Sequence, residues 1–500
     1  MNKFFALTPE EQEKVLFKKK ERQESSRKNK ESRAKTEKTI SQDNFTDWRS
    51  NFEKDDKAQL ASTLLSQQHI PSALLNRKAI RADKRVFSHA LTEPPTTFIN
   101  QHSSGRCWLF AIANMVCRGI IKKFNLGDFK LSQNYLLFSM LLEKSNLYLE
   151  NMIDLVEDPI DARIISHLSR SPLGDGGQWD TVVGLIEKYG LVPKSVYDES
   201  YNSSNSEEIK TFLNSKLRNQ AVELRQIYNS AKARAINNLG QDSKSATLPG
   251  ARAARKAKKA MMAQVYRCLA IALGSPPPPS EAFRWDYLDN SDKPRSLVST
   301  PLDFYNQHCA EFQPSEYISL INDPRNPFNK SYTVDRIGNV WGGRPIRYIN
   351  TSTDVLKSLV IKMIQADIAV WCGCDVGKMS NLSHGIMDTE LINYEAAFGV
   401  MSHLSKSERL QMVDSAMTHA MVITAVHLDE QGKPVRYKFE NTWSDTACDC
   451  AYFVITDAWF DEYVYQIVLH KSFIPDSLRQ IYDDPEPSVL PPWDPMGSLA

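Results

Sequence analysis

The sequence predicts a folded protein of the α+β class, because a helical first half is followed by a strand-rich last third. Its 500 residues are enough for roughly three ordinary domains, or for one enlarged domain with a large insertion. Hydrophobic residues make up 42% of the chain and charged residues 24%, close to globular averages. This composition excludes a wholly disordered or collagen-like chain, so we expect a substantial buried core.

The formal net charge of +1 hides two basic segments. Residues 1–40 carry twelve basic and seven acidic side chains, and residues 231–260 carry eight basic side chains and one acidic side chain. The remaining 430 residues therefore have a net charge of −11. A near-zero total argues against a uniformly basic nucleic-acid binder but leaves a local basic surface open.

The first half is organised around predicted helices. Residues 1–40 are charged, lack apolar periodicity and are predicted to be a disordered extension. Residues 41–199 are predicted to form an N-terminal arm and a helical half. In this half, apolar residues recur at helical spacing from Cys107 to Ile121, and two more helices are expected near 133–149 and 181–189.

The second half begins with a predicted insertion. Residues 200–285 are predicted to be a basic helical module, with a loop at 238–250 and a proline run that ends it at 276–279. Residues 286–490 are predicted to be a β-rich half, followed by a tail at 491–500. The expected strands of this half are at 368–374, 419–428, 435–440 and 451–455.

Cys107 is the best candidate for a nucleophile. No Walker loop, HExxH or GxSxG motif occurs in the sequence, so the reactive candidates are thiols and histidines. Cys107 lies at the start of a predicted helix, where free backbone N–H groups and the helix dipole are expected to lower the pKa of a thiol. The alternative is that Cys107 is only a small buried residue at a helix start.

A predicted hairpin supplies a partner for the thiol. If its turn is centred near Glu430, His419 lies directly opposite Asn441, and the amide oxygen can hold the imidazole tautomer. Trp443 is expected to shield this hydrogen bond from water. A slip in register would separate the pair, and His427 is a less favourable alternative base.

An oxyanion donor is also predicted. Gln101 precedes Cys107 by six residues and is expected to donate an amide N–H to a tetrahedral intermediate, together with the Cys107 backbone N–H. The alternative is a solvated side chain in a loop.

The sequence blocks around these residues resemble the active-site blocks of papain-like cysteine peptidases. They are Asn100-Gln101, Gly105-Arg-Cys-Trp108, His419-Ala420 and Asn441-Thr-Trp443, in the family's order. The stretches 175–180 and 373–378 and the tail sequence LPPWDPMGSLA resemble the bleomycin hydrolase group in particular. The similarity extends over about residues 45–500 and implies a papain-like fold with a large helical insertion.

The resemblance also implies an activity and roles for residues. Cys107 would be the nucleophile, His419 the base and then the acid, Asn441 the group that orients it and Gln101 the oxyanion donor. Gly176 and Gly177 would pair with the substrate backbone, and the carboxylate of Ala500 would bind the substrate's amino group. We therefore expect a cysteine aminopeptidase, a homohexamer with internal active sites, that hydrolyses peptides and analogues such as bleomycin and homocysteine thiolactone.

Other classes of function are less well supported by the sequence. A zinc site at Cys372, Cys374, Cys448 and Cys450 has unsuitable spacing, and no cofactor is expected. The basic insertion could follow the phosphates of a nucleic acid, which is the alternative function, although it lacks interleaved aromatic residues. We expect no membrane span, no targeting sequence and a cytoplasmic location.

Overall fold

The structure is a computed structural model that describes residues 8, 17–20, 38–82, 84–92, 100–239, 242–309, 312–401, 403–443 and 452–498. The chain divides into two compact units. The first unit is Met1–Leu75 with Ile392–Ser402, and the second is Asn76–Leu391 with His403–Ala500. Most of the predicted extension at 1–40 therefore lies outside the described residues, and the predicted domain boundaries stay predictions.

The first unit is built from short helices. Ser41 begins the first of them with a capping box to Asn44, and Asp55 caps the second by accepting two backbone N–H groups. No residue of these two helices is buried. The helices are Gln42–Glu53, Asp56–Leu65, Ile70–Ala73 and Tyr394–Phe398.

The second unit has helices with long buried faces. The helix that starts at Cys107 (the Cys107 helix) buries most of its length and ends at Asn125, which adopts a left-handed conformation. The α-helices of this unit are Arg77–Ala82, Cys107–Phe124, Gln133–Asp154, Arg163–Arg170, Trp179–Tyr189, Tyr201–Ser204, Glu207–Leu239, Thr247–Leu273, Pro301–His308, Thr353–Gln365, Lys406–Gln411, Asp457–Tyr463 and Asp476–Asp483.

The strands of the second unit form one large sheet and a separate hairpin. In chain order they are β1 His89–Ala90, β2 Phe283–Leu288, β3 Pro294–Ser299, β4 Tyr317–Ile321, β5 Lys330–Val334, β6 Tyr348–Asn350, β7 Val370–Cys374, β8 Ser380–Asn381, β9 Ile386–Met387, β10 His419–Leu428, β11 Pro434–Glu440, β12 Tyr452–Thr456, β13 Val464–His470 and β14 Ser488–Leu490.

The sheet places β10 at its centre. The strand order is β14-β5-β6-β4-β13-β7-β10-β11-β12-β9-β8, and β1 also pairs with β10. The first part of β10 pairs with β7, and its second part pairs with β1, while β11 runs along its other edge. The Cys107 helix packs on β10. Helices followed by this sheet confirm the α+β class.

The two helices Glu207–Leu239 and Thr247–Leu273 pack on each other and on Gln133–Asp154, and we call them the long helix pair. The predicted loop at 238–250 is too long, because the second helix already begins at Thr247. Pro249 lies in the first turn, where a missing N–H is tolerated. Gly250 faces the ring of Tyr228, which a Cβ would meet at 3.1 Å.

Part of the basic charge of the long helix pair is used within the protein. Glu150 is nearly buried and pairs with both Arg255 and Lys258, while Lys232 pairs with Glu157 at 2.8 Å. The other five basic residues of the segment 231–260 are exposed: Arg234, Lys244, Arg252, Lys256 and Lys259.

Truncation of a buried leucine in the long helix pair is predicted to destabilise the protein. Leu269 is fully buried, so Leu269→Ala should lower the free energy of unfolding by about 2–5 kcal/mol through lost apolar burial and a cavity. Ile271 on the same helix is 75% exposed, and Ile271→Ala should change stability by less than about 0.5 kcal/mol. Urea unfolding followed by circular dichroism compares the two; equal losses would contradict the packing described.

Candidate active site

Cys107 is the first residue of its helix and lies beside β10. Its side chain is almost buried, and its Sγ accepts a hydrogen bond from the backbone N–H of Ala420 at 3.4 Å. Arg106, which precedes it, is fully buried and donates two hydrogen bonds to Glu199, at 3.0 and 3.1 Å. This ion pair anchors the backbone from which the Cys107 helix starts.

The pKa of Cys107 is raised in the folded protein, and the expectation of a lowered value is wrong for the resting enzyme. Burial raises the pKa of the thiol to about 11, whereas the N–H groups of Ala420, Trp108 and Cys107 itself act in the opposite direction. The helix start therefore offsets only part of the cost of burying a thiolate. Cys107 rests as a thiol whose ionised form has three backbone donors.

His419 and Asn441 form a hydrogen-bonded pair. The Nε2 of His419 donates to the Oδ1 of Asn441 over 2.8 Å, and both side chains are buried. Asn441 Oδ1 also accepts the Thr442 backbone N–H, so it faces the imidazole as an acceptor. Nε2 therefore carries the proton, and Nδ1 is left as the basic nitrogen.

Burial also keeps His419 neutral. It lowers the pKa of His419 to about 4, and the hydrogen bond to Asn441 raises it by less. The ring of Trp443 lies against the imidazole with a centroid distance of 4.5 Å. Trp443 therefore lies beside the His419–Asn441 hydrogen bond, at the position that the sequence predicts.

The predicted hairpin register is wrong, although the pair it was meant to explain is present. The ladder pairs Val422 with Glu440, so a continued register would place Asn441 opposite Met421. The turn is centred near Gln431, one residue later than predicted, because Leu428 pairs with Pro434, and this moves the register by two residues. The two bulges of the ladder each shift it by one residue, in opposite directions, so they do not change this result. A shift of two keeps His419 and Asn441 on one face as diagonal neighbours, within reach of each other.

Gln101 is held between the two halves of the site. Its backbone N–H donates to Thr442 O at 2.8 Å, and Asn100 and Trp443 form a β-bridge. The Gln101 amide oxygen accepts the Thr442 hydroxyl, and its Nε2 donates to Ser104 O at 2.6 Å. An amide nitrogen has a second hydrogen, which is the one that an oxyanion would need.

The loop that carries Gly176 and Gly177 packs against Trp108. A Cβ on the buried Gly177 would come within 2.5 Å of the indole, so its missing side chain makes room for Trp108. Gly176 is half-buried. Its carbonyl accepts from Lys144 Nζ at 2.7 Å, and Lys144 also binds Gly174 O at 2.8 Å.

The segment before His419 is held by a residue that the sequence reasoning missed. Asp375, which follows β7, accepts hydrogen bonds from the hydroxyls of Ser415 at 2.7 Å and Thr418 at 3.2 Å. It is buried. In the sequence, Asp375 is marked only by its position in the 373–378 stretch, which does not predict its hydrogen bonds to Ser415 and Thr418.

The tail enters the same region. Met496 is fully buried, and its carbonyl accepts the hydroxyl of Tyr348 at 3.0 Å. Trp493 lies under the guanidinium of Arg163, 3.9 Å from the ring centroid. Ser498 donates to Met417 O at 2.7 Å, two residues before His419. Ala500, predicted to bind the substrate's amino group, lies outside the described residues.

A cavity of about 670 Å³ runs along the tail. It is lined by tail residues from 491 to 498, by Lys144 and Gly174 near the glycine loop, and by Ser415 and Ala416 near His419. The tail therefore lines a cavity whose walls include residues near Gly176 and residues just before His419.

The other thiols do not form a metal site in the described part of the chain. Cys372 and Cys374 are buried on β7, and Cys448 and Cys450 lie outside the described residues. Within those residues no group of three or more His, Cys, Asp or Glu side chains is arranged to hold a metal ion, and no helix is long and apolar enough to span a membrane.

The comparisons with known proteins agree with this geometry. The profile of the Peptidase C1-like family matches residues 39–497. The chain belongs to the Peptidase C1-like family. Aminopeptidase C of Listeria monocytogenes is 38% identical over 471 residues, which cover 93% of this chain and 99% of the relative.

Further relatives of this Peptidase C1-like chain have similar identity. Bleomycin hydrolase of Rattus norvegicus is 37% identical over 451 residues, 88% of this chain and 94% of the relative. Cysteine proteinase 1, mitochondrial, of Saccharomyces cerevisiae (strain JAY291) is 38% identical over 91% of both chains. The crystal structure of PepW from a Lactobacillus superposes with a TM-score of 0.84 at 37% identity, covering 92% of this chain and 99% of PepW.

These findings confirm the predicted fold and class of enzyme. The fold is papain-like, and the protein is a cysteine aminopeptidase of the Peptidase C1-like family. The alternative of a nucleic-acid-binding protein is not supported by any of the relatives.

The low pKa of His419 predicts a pH dependence of stability. Between about pH 6.5 and 4 the unfolded chain binds a proton at this histidine and the folded protein does not, so the free energy of unfolding falls as the pH decreases through this range. His419→Gln removes this contribution and should make the fall shallower. Chemical unfolding at pH 7, 6, 5 and 4 measures it, with His403→Gln, which removes an exposed imidazole, as the control. Parallel curves for wild type and His419→Gln would contradict the assignment.

Proposed function

We propose that this enzyme removes residues one at a time from the free amino ends of peptides, with Cys107 as the nucleophile. The observation that carries the proposal is the contact of Cys107 Sγ with the Ala420 N–H, directly after His419. It brings a thiol at a helix start next to an imidazole whose tautomer is held by Asn441.

The geometry supports a two-step mechanism. Nδ1 of His419 takes the proton of the Cys107 thiol, and the thiolate attacks the carbonyl carbon of the scissile bond. The resulting oxyanion receives the second amide hydrogen of Gln101 and the Cys107 N–H. The imidazolium then protonates the leaving amine, and His419 next activates the water that releases the acyl group from sulfur. Proton transfer makes both charges at once, so their mutual attraction offsets part of the desolvation of each.

The tail is proposed to restrict the enzyme to free amino ends. Met496 and Trp493 anchor it, and Ser498 bonds the backbone two residues before His419. The Ala500 carboxylate, which lies outside the described residues, would pair with the substrate's ammonium group. In this arrangement Gly176 pairs with the backbone of the bound residue, and Gly177 supports it through Trp108.

Substrates are proposed to be peptides and related acyl compounds. An acyl-enzyme mechanism requires a carbonyl carbon with a leaving group, which amides and thiolactones provide as well as peptides do. A relative that is named bleomycin hydrolase supports the inclusion of amide analogues such as bleomycin.

Two variants test the nucleophile and the tail separately. Cys107→Ala should abolish turnover of fluorogenic aminoacyl amides, because it removes the nucleophilic sulfur. Deletion of Leu499 and Ala500 should allow turnover of the N-acetylated amide, which the enzyme with its tail intact is expected to reject. This deletion leaves the buried Met496 in place, so it tests the carboxylate without removing the anchor of the tail. Activity of Cys107→Ala contradicts the mechanism, and a truncated enzyme that still requires a free amine contradicts the role of the tail.

A homohexamer with internal active sites is proposed for the assembled enzyme. Its support is the apolar surface of the first unit, where Phe45 is 64%, Trp48 54%, Leu60 63% and Leu64 52% exposed. Exposed apolar residues on two adjacent helices are typical of a protein–protein interface.

Removal of this surface should therefore change the assembly. The double variant Phe45→Ser, Trp48→Ser is expected to lower the mass measured by light scattering from six chains to fewer. Ile271→Ser, which removes an exposed apolar residue of the second unit, is the matched control and should leave the mass unchanged. A double variant with the mass of the wild type would show that this surface does not hold the oligomer together.

A cytoplasmic location is proposed on the basis of the cysteines. The six cysteines that the structure describes are free thiols, as is usual in a reducing compartment. Cell fractionation tests this location, and recovery with mitochondria, the compartment in the name of the yeast relative, would contradict it.

A further inference from the structure

Asp175 connects the long helix pair with residues on both sides of Cys107. Its Oδ2 accepts from Lys210 Nζ at 2.6 Å and from the Gly105 N–H at 3.0 Å. Its carbonyl oxygen accepts the indole N–H of Trp108 at 2.7 Å. Asp175 is thus hydrogen-bonded to Gly105 and Trp108, which flank Arg106 and Cys107, and is also bonded to the helix Glu207–Leu239.

This contact has little freedom to adjust. A Cβ at Gly105 would approach the Asp175 Cβ to 2.4 Å, so the Asp175 side chain occupies the space that a side chain at position 105 would need. Lys210 is buried, with only 10% of its side chain exposed, and the Asp175 side chain is 15% exposed. Solvent and salt therefore screen this ion pair less than a surface pair.

The ion pair also sets the charge near the thiol. Burial is the largest cause that raises the pKa of Cys107, the backbone N–H groups lower it, and the Asp175 carboxylate raises it further. Lys210 forms an ion pair with that carboxylate. Two further cations lie in this region: Arg106, which pairs with Glu199, and Lys144, whose pKa burial lowers to about 8. On the β10 side, burial keeps both His419 and the Cys374 thiol neutral.

We propose that Lys210 is a positioning residue for the nucleophile: it holds Asp175 against Gly105 and cancels the negative charge that would oppose the Cys107 thiolate. The inserted helix pair thereby takes part in catalysis, although none of its residues touches the substrate. This inference rests on the proposed role of Cys107.

The test is the pH dependence of Cys107 alkylation by iodoacetamide, measured by mass spectrometry of the Cys107 peptide. Lys210→Met leaves Asp175 uncompensated, so the profile should move to higher pH and the rate at pH 7 should fall by about threefold or more, the change that a shift of about half a pH unit gives. Asp175→Asn removes the carboxylate and leaves Lys210 paired only with the exposed Glu207, at 2.9 Å, so it should move the profile to lower pH. The double variant should return towards the wild type.

Controls separate this effect from a loss of folding. Lys216→Met removes a lysine of the same helix that bonds to Gln264, away from the glycine loop, and should leave the profile unchanged. Lys210→Arg keeps the charge and should retain most of the alkylation rate, while circular dichroism verifies the fold of each variant. An unshifted profile in folded Lys210→Met, or shifts of one sign in both single variants, overturns the proposal.

The same assay distinguishes this inference from the proposed function. Alkylation reports the thiolate of Cys107 whether or not peptides are hydrolysed. Full turnover by Cys107→Ala would therefore refute the mechanism, whereas an unshifted profile refutes only the role of Lys210.

Discussion

Desolvation of the reactive groups is the constraint on which the rest of the site depends. Burial raises the pKa of Cys107 and lowers that of His419, so both groups rest uncharged. Three neighbours act against this cost, each in a different way. The Ala420 N–H stabilises the thiolate, Asn441 stabilises the protonated imidazole, and Lys210 is proposed to neutralise the Asp175 carboxylate with which it pairs. The reactive groups are thus buried from solvent. Burial opposes the separation of charge between them, and the fixed dipoles of neighbouring groups support it.

Local patterns were sufficient to predict most elements of the fold. The apolar periodicity after Cys107 predicts a helix that the structure extends to Phe124, and the strand expected at 419–428 is found as His419–Leu428. Such features depend on residues close in sequence. The loop at 238–250 was overestimated because a glycine and a proline usually end helices, whereas here Pro249 lies in a first turn and Gly250 packs on Tyr228.

Contacts between distant segments could not be predicted from the sequence. The turn of the β10–β11 hairpin is centred one residue later than predicted, and the His419–Asn441 contact persists because the resulting shift of two residues keeps both side chains on one face. The hydrogen bonds of Asp375 to the segment before His419, and of Asp175 to Lys210, join residues at least 35 positions apart. No periodicity or motif marks such pairs, which depend on how the elements pack.

The groups that meet at the site lie far apart along the chain, and this separation determines when activity arises. Thr442 bonds Gln101 across 341 residues, and Ala420 bonds Cys107 across 313. Contacts of such length require large loops to close, which makes them slow to form. A chain still in synthesis has its cysteine long before it has its histidine and asparagine. In the newly made chain the Cys107 thiol therefore remains inactive until the last third of the chain joins the sheet. Hydrolytic activity appears only when the chain has completed its folding.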